Sequence, residues 1–276
     1  MKLGILIRIQ CCNIVAVCLR LIRCVEYLYR VLATAICYVV FGLLAIGIWS
    51  IGFPLIVLLV PKPNRLKTAH LVAHYCFRFF IGWMRFLRVL SYEVIDEERL
   101  RQQGQLIVAN HPSLIDIVFL ISRVDNAVCI VGKELLNNPF MSSAIKHGGY
   151  VVNSDPDLLV DDCATVLRQQ MSLIIFPQGT RTPLSRLFKF QRGSARIALQ
   201  AQVNITPVYI ECHPSHLMKG QQWYNIPLTR PHYRIIVGDA IIPEQHIDSV
   251  IPSLASRQLT RFLERYFVKQ YDSVKQ

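Results

Sequence analysis

The sequence is short of charge. Of its 276 residues only 17% are Asp, Glu, Lys or Arg against 53% hydrophobic, where soluble domains carry about 25% charged residues. With a mean hydropathy of +0.35, part of the chain should touch lipid. Acid is scarcest at the start: residues 1–90 hold eleven Lys and Arg against Glu26 alone, +10 of the overall +12. Positive charge interleaved with long apolar runs suits anionic lipid headgroups, and no nucleic-acid recognition motif accompanies it. The nine cysteines form no C-x-x-C pair, and five of them (Cys11, Cys12, Cys18, Cys24, Cys37) lie in the greasy N-terminal stretch. That placement suggests reduced, lipid- or core-packed thiols rather than a disulfide frame or a zinc site, and so leads us to expect the catalytic domain on the cytoplasmic side. No G-x-S-x-G elbow is present, which argues against a serine lipid hydrolase. The chain also lacks internal repeats and low-complexity segments.

What is there begins with thirty residues without a charge, Val31 to Val60, closed by Pro61-Lys62-Pro63. As one helix this run measures about 45 Å, against a hydrocarbon core of about 30 Å. It can span with tilt, or bend near Gly47, Gly52 and Pro54 and re-enter. Lys2, Arg8, Arg20, Arg23 and Arg30 precede it, while Lys62, Arg65, Lys67, Arg78, Arg85 and Arg88 follow. The positive-inside rule asks for both flanks on the cytoplasmic face, so a bent, re-entrant or doubly inserted anchor is favoured over a single crossing. Residues 1–30 resemble a signal peptide, but Arg20 and Arg23 interrupt the apolar run and they are expected to be retained. Leu71 to Leu90 mixes aromatics with three arginines, as an interfacial helix does; a buried core helix is the alternative. The expected organisation is an anchor with interfacial helices over 1–90 and a catalytic domain over 91–276.

From Tyr92 the texture is that of an α/β domain, with apolar strands such as Leu106–Ala109, Leu173–Phe176 and Thr206–Ile210 alternating with helical stretches. The first of these runs into Asn110-His111-Pro112-Ser113-Leu114-Ile115-Asp116. Pro112 suits the first turn of a helix and biases His111 toward an extended conformation just outside it. Asp116, one turn in, can then reach back to the imidazole. A carboxylate that fixes one ring nitrogen as N–H leaves the other free to take a proton from a hydroxyl. The second constellation, Phe176-Pro177-Gln178-Gly179-Thr180-Arg181, follows a strong strand. Gly179 lets backbone N–H groups approach an anion, Thr180 adds a hydroxyl, and Arg181 can hold a phosphate through two parallel hydrogen bonds. Each motif alone has a plain alternative: a helix-capping His beside an incidental Asp, and a turn with a solvated Arg. His213 and His216 form an isolated pair that reads as structural, and no metal is implied.

Together, in this order and separation, the two motifs resemble the lysophospholipid acyltransferase family, whose pattern is N-H-x-x-x-x-D followed some sixty residues later by F-P-E-G-T-R. The resemblance extends through Lys133-Glu134-Leu135, Pro139, Gly148-Gly149, Phe188-Lys189, Gly193 and Ile205–Val208, covering roughly residues 90 to 240. It implies a mixed sheet flanked by helices behind an N-terminal hydrophobic membrane anchor. It also implies O-acyl transfer from acyl-CoA or acyl-carrier protein, without a cofactor, to a lysophospholipid such as 1-acylglycerol-3-phosphate. By the same resemblance His111 is the general base and Asp116 its orienting partner. Gln178, Gly179, Thr180, Arg181, Lys133 and Lys189 are substrate-binding, and membrane lipids are the partners. The enzyme would sit on the cytoplasmic face of a membrane, the inner one in a bacterium. Two departures stand out. Gln178 replaces the usual Glu, and no Arg occurs between Val124 and Leu167, where Ser154 stands at the family's arginine. One cation to the acceptor phosphate is therefore missing unless Lys146 or Arg192 supplies it, which leaves a different acceptor (an aminolipid, glycolipid or secondary-metabolite hydroxyl) in view. The reading from another class is a non-catalytic membrane lipid-binding protein, against which the intact His111 and Asp116 argue.

Overall fold

The computed structural model describes residues 2–275 apart from 138–141, 143, 144, 146, 154, 155 and 186, with side chains from residue 20 onward except 156 and 157. Pro139, Lys146 and Ser154, named above, lie outside the described residues. The N-terminal run is a long helix, α1 (Lys2–Gly47), a π-helical segment (Ile48–Gly52) and α2 (Phe53–Leu59). Pro54 has no N–H to give to the turn before it, and the helix absorbs this by widening: the Phe53 N–H bonds Ile48 O, five residues back. Gly47 and Gly52 keep helical angles (φ −60° and −61°), so the chain does not turn back there as the sequence suggested. Reversal comes at Val60, which is extended (φ −102°, ψ 128°) before Pro61. Arg65 then caps the open carbonyls of α2, donating from Nε to Val60 O at 3.0 Å and from Nη2 to Val57 O at 2.6 Å.

The return leg is α3 (Arg65–Phe86), and the resulting hairpin lies against the rest of the molecule. At its base, Tyr29 Oη donates to Leu87 O at 3.1 Å. Farther along, Phe41 meets Phe80 and Phe77, and Phe53 stacks on His147 at 4.9 Å. α3 presents His70, His74, Phe80, Ile81 and Met84 inward and Tyr75, Phe79 and Phe86 outward, so it is a core helix on one face and has the surface of an interfacial helix on the other. Residues Arg20–Leu59 are long and apolar enough to cross a membrane, and their most apolar 18 residues have a mean hydropathy of 2.5 with only 17% of them buried. The outward apolar surface of this stretch needs a non-aqueous neighbour.

The sheet has seven strands: β1 (Ser91–Ile95), β2 (Leu106–Ala109), β3 (Ala127–Gly132), β4 (Val151–Asn153), β5 (Ser172–Ile175), β6 (Ile205–His213) and β7 (His232–Val237), in the spatial order β1-β7-β6-β2-β5-β3-β4. Only β6 and β7 run antiparallel; every other pair is parallel. The central strands are buried on both faces, which is why they read as continuous apolar runs. Their side chains alternate between two cores. Ile107, Ala109, Val208 and Ile210 face α1, α3 and α4 (Asp116–Ile121). Leu106, Val108, Leu173 and Tyr209 face α5 (Pro156–Arg168), α6 (Gly193–Ala201) and α7 (Pro252–Val274). Ala33 and Cys37 of α1 belong to the first of these cores.

Candidate active site

Strands β2, β3, β5 and β6 are mutually parallel, so the segments leaving their carboxyl ends collect on one edge of the sheet, where open α/β sheets bind ligands. His111 follows β2, Lys133 follows β3 and the 176–181 turn follows β5. The exit from β2 is shaped by Asn110, which is buried and continues the ladder with its side chain. Its Nδ2 donates to Ile210 O and its Oδ1 accepts the Ile210 N–H, both at 2.7 Å. A side chain thus replaces a peptide unit, and the backbone is released to swing His111 away from the sheet. The sequence motif contained Asn110 but suggested no role for it; a buried amide at a strand end was the available signal.

The helix expected from Pro112 begins only at Asp116. The reason lies in the Asp116 side chain, whose Oδ2 accepts the Ser113 N–H at 2.7 Å and so tightens residues 113–116 into a turn. That turn carries the same oxygen to His111 Nδ1 at 2.8 Å. Ser113 Oγ pairs with Tyr233 Oη at 2.9 Å and seals the floor of the site. Asp116 is fully buried and its Oδ1 has no hydrogen-bond partner among the described residues. Burial therefore pushes its carboxyl above the usual 3.8, against the opposing pull of His111, the Ser113 N–H and the Arg181 charge. With Asp116 ionised, Oδ2 accepts from two N–H groups. Nδ1 then holds the imidazole proton, and Nε2, which has no partner among the described residues, is the basic nitrogen.

The second motif holds His111 in place. Gln178 Oε1 accepts the His111 N–H at 2.8 Å, the Thr182 N–H donates to His111 O at 2.9 Å, and the Phe176 ring stacks on the imidazole at 4.0 Å. Gln178, expected to bind substrate, thus has its carbonyl engaged by His111, a contact a Glu carboxylate makes equally well. Gly179 closes the turn with φ +71°, its N–H donating to Phe176 O at 3.0 Å; a Cβ there would stand 2.6 Å from Gln191 Nε2. Thr180 is exposed, and Arg181 is partly buried with Nη1 3.3 Å from Leu217 O. The structure thus brings His111, Asp116, Gln178, Gly179, Thr180 and Arg181 together. Lys133 lies on the same sheet edge, and Lys189 is exposed between the buried Phe188 and Phe190. Among the described residues neither lysine joins the His111–Asp116 pair or the 176–182 segment by a hydrogen bond or ion pair. Arg192 lines a groove beside Glu244 and Asp248, away from His111.

Comparisons with known proteins point to one kind of enzyme. Residues 91–211 match the family model described as Acyltransferase. The chain is 26% identical over 204 residues to the 1-acyl-sn-glycerol-3-phosphate acyltransferase of Pseudomonas aeruginosa, covering 71% of this chain and 76% of that one. It is 30% identical over 140 residues to the human 1-acyl-sn-glycerol-3-phosphate acyltransferase beta, covering 46% and 50%. Against the coconut enzyme of the same name it is 25% identical over 68% of this chain and 61% of that one. The fold is similar to the crystal structure of the 1-acyl-sn-glycerophosphate (LPA) acyltransferase from Thermotoga maritima, with a TM-score of 0.70, 20% identity, and coverage of 91% of this chain and 99% of that one. A mixed sheet of that fold, a match of residues 91–211 to the Acyltransferase family model and relatives sharing one named activity make the chain an O-acyltransferase similar to the 1-acylglycerol-3-phosphate acyltransferases.

Proposed function

We propose that the enzyme moves a fatty acyl group from an acyl thioester, acyl-CoA or acyl-carrier protein, to the free hydroxyl of 1-acylglycerol-3-phosphate, giving phosphatidic acid. The observation that carries this reading is His111, clamped through both backbone groups and its ring face, with Nδ1 on a buried carboxylate and Nε2 without a partner among the described residues. Nε2 takes the hydroxyl proton as the acceptor oxygen attacks the thioester carbonyl carbon. The tetrahedral oxyanion collapses, the C–S bond breaks, and the imidazolium returns its proton to the leaving thiolate. Asp116 stabilises that imidazolium while it exists and fixes the ring tautomer. No protein nucleophile takes part.

The acceptor reading draws on the relatives' shared name and on Arg181 beside the 179–181 turn. The Gln in place of Glu at position 178 gives no reason for a different acceptor, since its carbonyl oxygen is turned to His111 rather than outward. Membrane attachment follows the hairpin. Arg30 is buried, with Nη1 donating to Pro227 O at 3.0 Å, and Tyr29 meets Leu87, so α1 is tied both to the catalytic domain and to the end of the return leg. We read the anchor as dipping into one leaflet with the domain on the cytoplasmic face, so that reporters at residue 30 and at the C-terminus give the same cytoplasmic signal. Purified enzyme given labelled acyl thioesters and a panel of lipid acceptors tests the reaction: 1-acylglycerol-3-phosphate should be acylated fastest. Preference for an aminolipid or glycolipid would replace the acceptor and keep the chemistry.

A further inference from the structure

The sequence leaves the acceptor phosphate one arginine short: residues 124–167 hold no Arg, Lys146 lies outside the described residues, and Arg192 lines a groove with Glu244 and Asp248. The structure brings another cation from the loop between β6 and β7. Lys219 Nζ lies 3.0 Å from Thr180 Oγ1. The loop that carries it is fastened to both catalytic motifs, because Leu217 O accepts the Leu114 N–H at 3.1 Å and Arg181 Nη1 at 3.3 Å. It is also tightly turned. Leu217 (φ +55°) and Gly220 (φ +79°) bracket Lys219 in left-handed conformations, and Gln221 accepts the Met218 N–H through Oε1 while its own N–H returns to Met218 O, each at 3.1 Å. A left-handed Leu is a costly backbone state that the surrounding contacts must hold.

We propose that Lys219, together with Arg181, grips the phosphate monoester of the acceptor, taking the place of the family's missing arginine; this rests on the acceptor reading above. Because Thr180 Oγ1 accepts from Lys219, its own hydroxyl hydrogen is free to donate. Three donors therefore converge: the Thr180 O–H, the Arg181 guanidinium and the two remaining Lys219 N–H bonds. Among the described residues neither Arg181 nor Lys219 has a carboxylate partner, so their charge is available to a dianionic group. Phosphate also occurs in the thioester donor, and the choice between the two sources is made on geometry: Lys219 and Arg181 bracket the exposed Thr180, on the turn that also holds His111 beside the acceptor hydroxyl.

The test is steady-state kinetics of the full-length enzyme in detergent micelles, wild type against Lys219→Ala and Lys219→Arg, with 1-acylglycerol-3-phosphate, a phosphate-free monoacylglycerol and a fixed acyl thioester. Lys219→Ala should raise the KM for 1-acylglycerol-3-phosphate about 10-fold, the scale of one lost charged contact, with kcat and donor KM little changed. Lys219→Arg should recover most of the loss. The gap should shrink as salt is raised, because the contact is solvent-exposed. An unchanged acceptor KM overturns the proposal. So does a rise in donor KM instead, which would move the lysine to the donor's phosphates. Equal losses on both acceptors without rescue by arginine would reduce Lys219 to a loop fastener. Wild-type enzyme that ignores 1-acylglycerol-3-phosphate would bring down the acceptor reading itself, and this assignment with it.

Discussion

Replacing Asp116 by Asn separates the chemistry of the site from its architecture. The two side chains are nearly equal in volume, and one oxygen, Oδ2, accepts both the Ser113 N–H at 2.7 Å and the His111 Nδ1–H at 2.8 Å. An amide oxygen in that place keeps both contacts and with them the turn and the ring tautomer. What it removes is the negative charge that stabilises the imidazolium formed when Nε2 takes the hydroxyl proton. On the scale of general-base contributions this costs about 10²- to 10⁴-fold in kcat, or about 3 to 5 kcal/mol of activation free energy. Stability should move the other way. Burial raises the folded-state pKa of Asp116 above 3.8. A raised carboxyl contributes stability that is full below 3.8 and is lost as pH rises through the folded value, so at neutral pH the ionised group is a net cost. Asp116→Asn removes that titration. Thermal melts in micelles from pH 4 to 8, run beside turnover of labelled acyl thioester, should show an inactive variant at least as stable as wild type, with its advantage growing as pH rises. A variant keeping a tenth of its activity, or one destabilised equally at every pH, would refute the reasoning and make Asp116 a mere anchor.

Asn110→Ala should cost about 2 to 4 kcal/mol of stability, because it strands a buried N–H and C=O of Ile210, and the loss should appear as a lowered denaturation midpoint. His216 is held down to about 4 by burial and by the charge of Arg30. A depressed histidine contributes stability that is present above its unfolded value of 6.5 and is lost as pH falls toward 4, here by up to about 3 kcal/mol. His216→Asn should flatten that acid-side loss in pH-dependent melts; an unchanged slope would dismiss the assignment. Arg181→Ala should raise acceptor KM strongly and donor KM little, with partial recovery by Lys, since only charge and not the planar fork returns; a matching rise in donor KM would contradict its placement.

Strands β2, β5 and β6 were legible because they are short apolar runs buried on both faces, and they fall within a residue or two of the expected positions except that β6 runs on to His213. The His111–Asp116 contact was legible from spacing plus Pro112, although the helix starts four residues later than Pro112 implies. Its start is set by a side-chain bond to the Ser113 N–H, which no periodicity records. The anchor's turning point was misplaced for a related reason. Glycine and proline signal local weakness, but a π-helical widening absorbs Pro54 in line, and the reversal waits for the extended Val60 before Pro61. Asn110, Gln178 and Lys219 were hidden because their roles depend on partners 39 to 100 residues away in the chain. Such contacts are set by the order in which strands assemble, not by any local pattern.

The central claim is that His111 Nε2 is the base for acyl transfer. The most direct measurement is turnover of a labelled acyl thioester by His111→Ala enzyme saturated with acceptor. The imidazole is stacked on Phe176 but fills little of the core, so the variant should fold, attach to membranes and bind both substrates, yet transfer nothing detectable. Retention of more than about a tenth of wild-type turnover, well above what loss of a general base allows, would contradict the account.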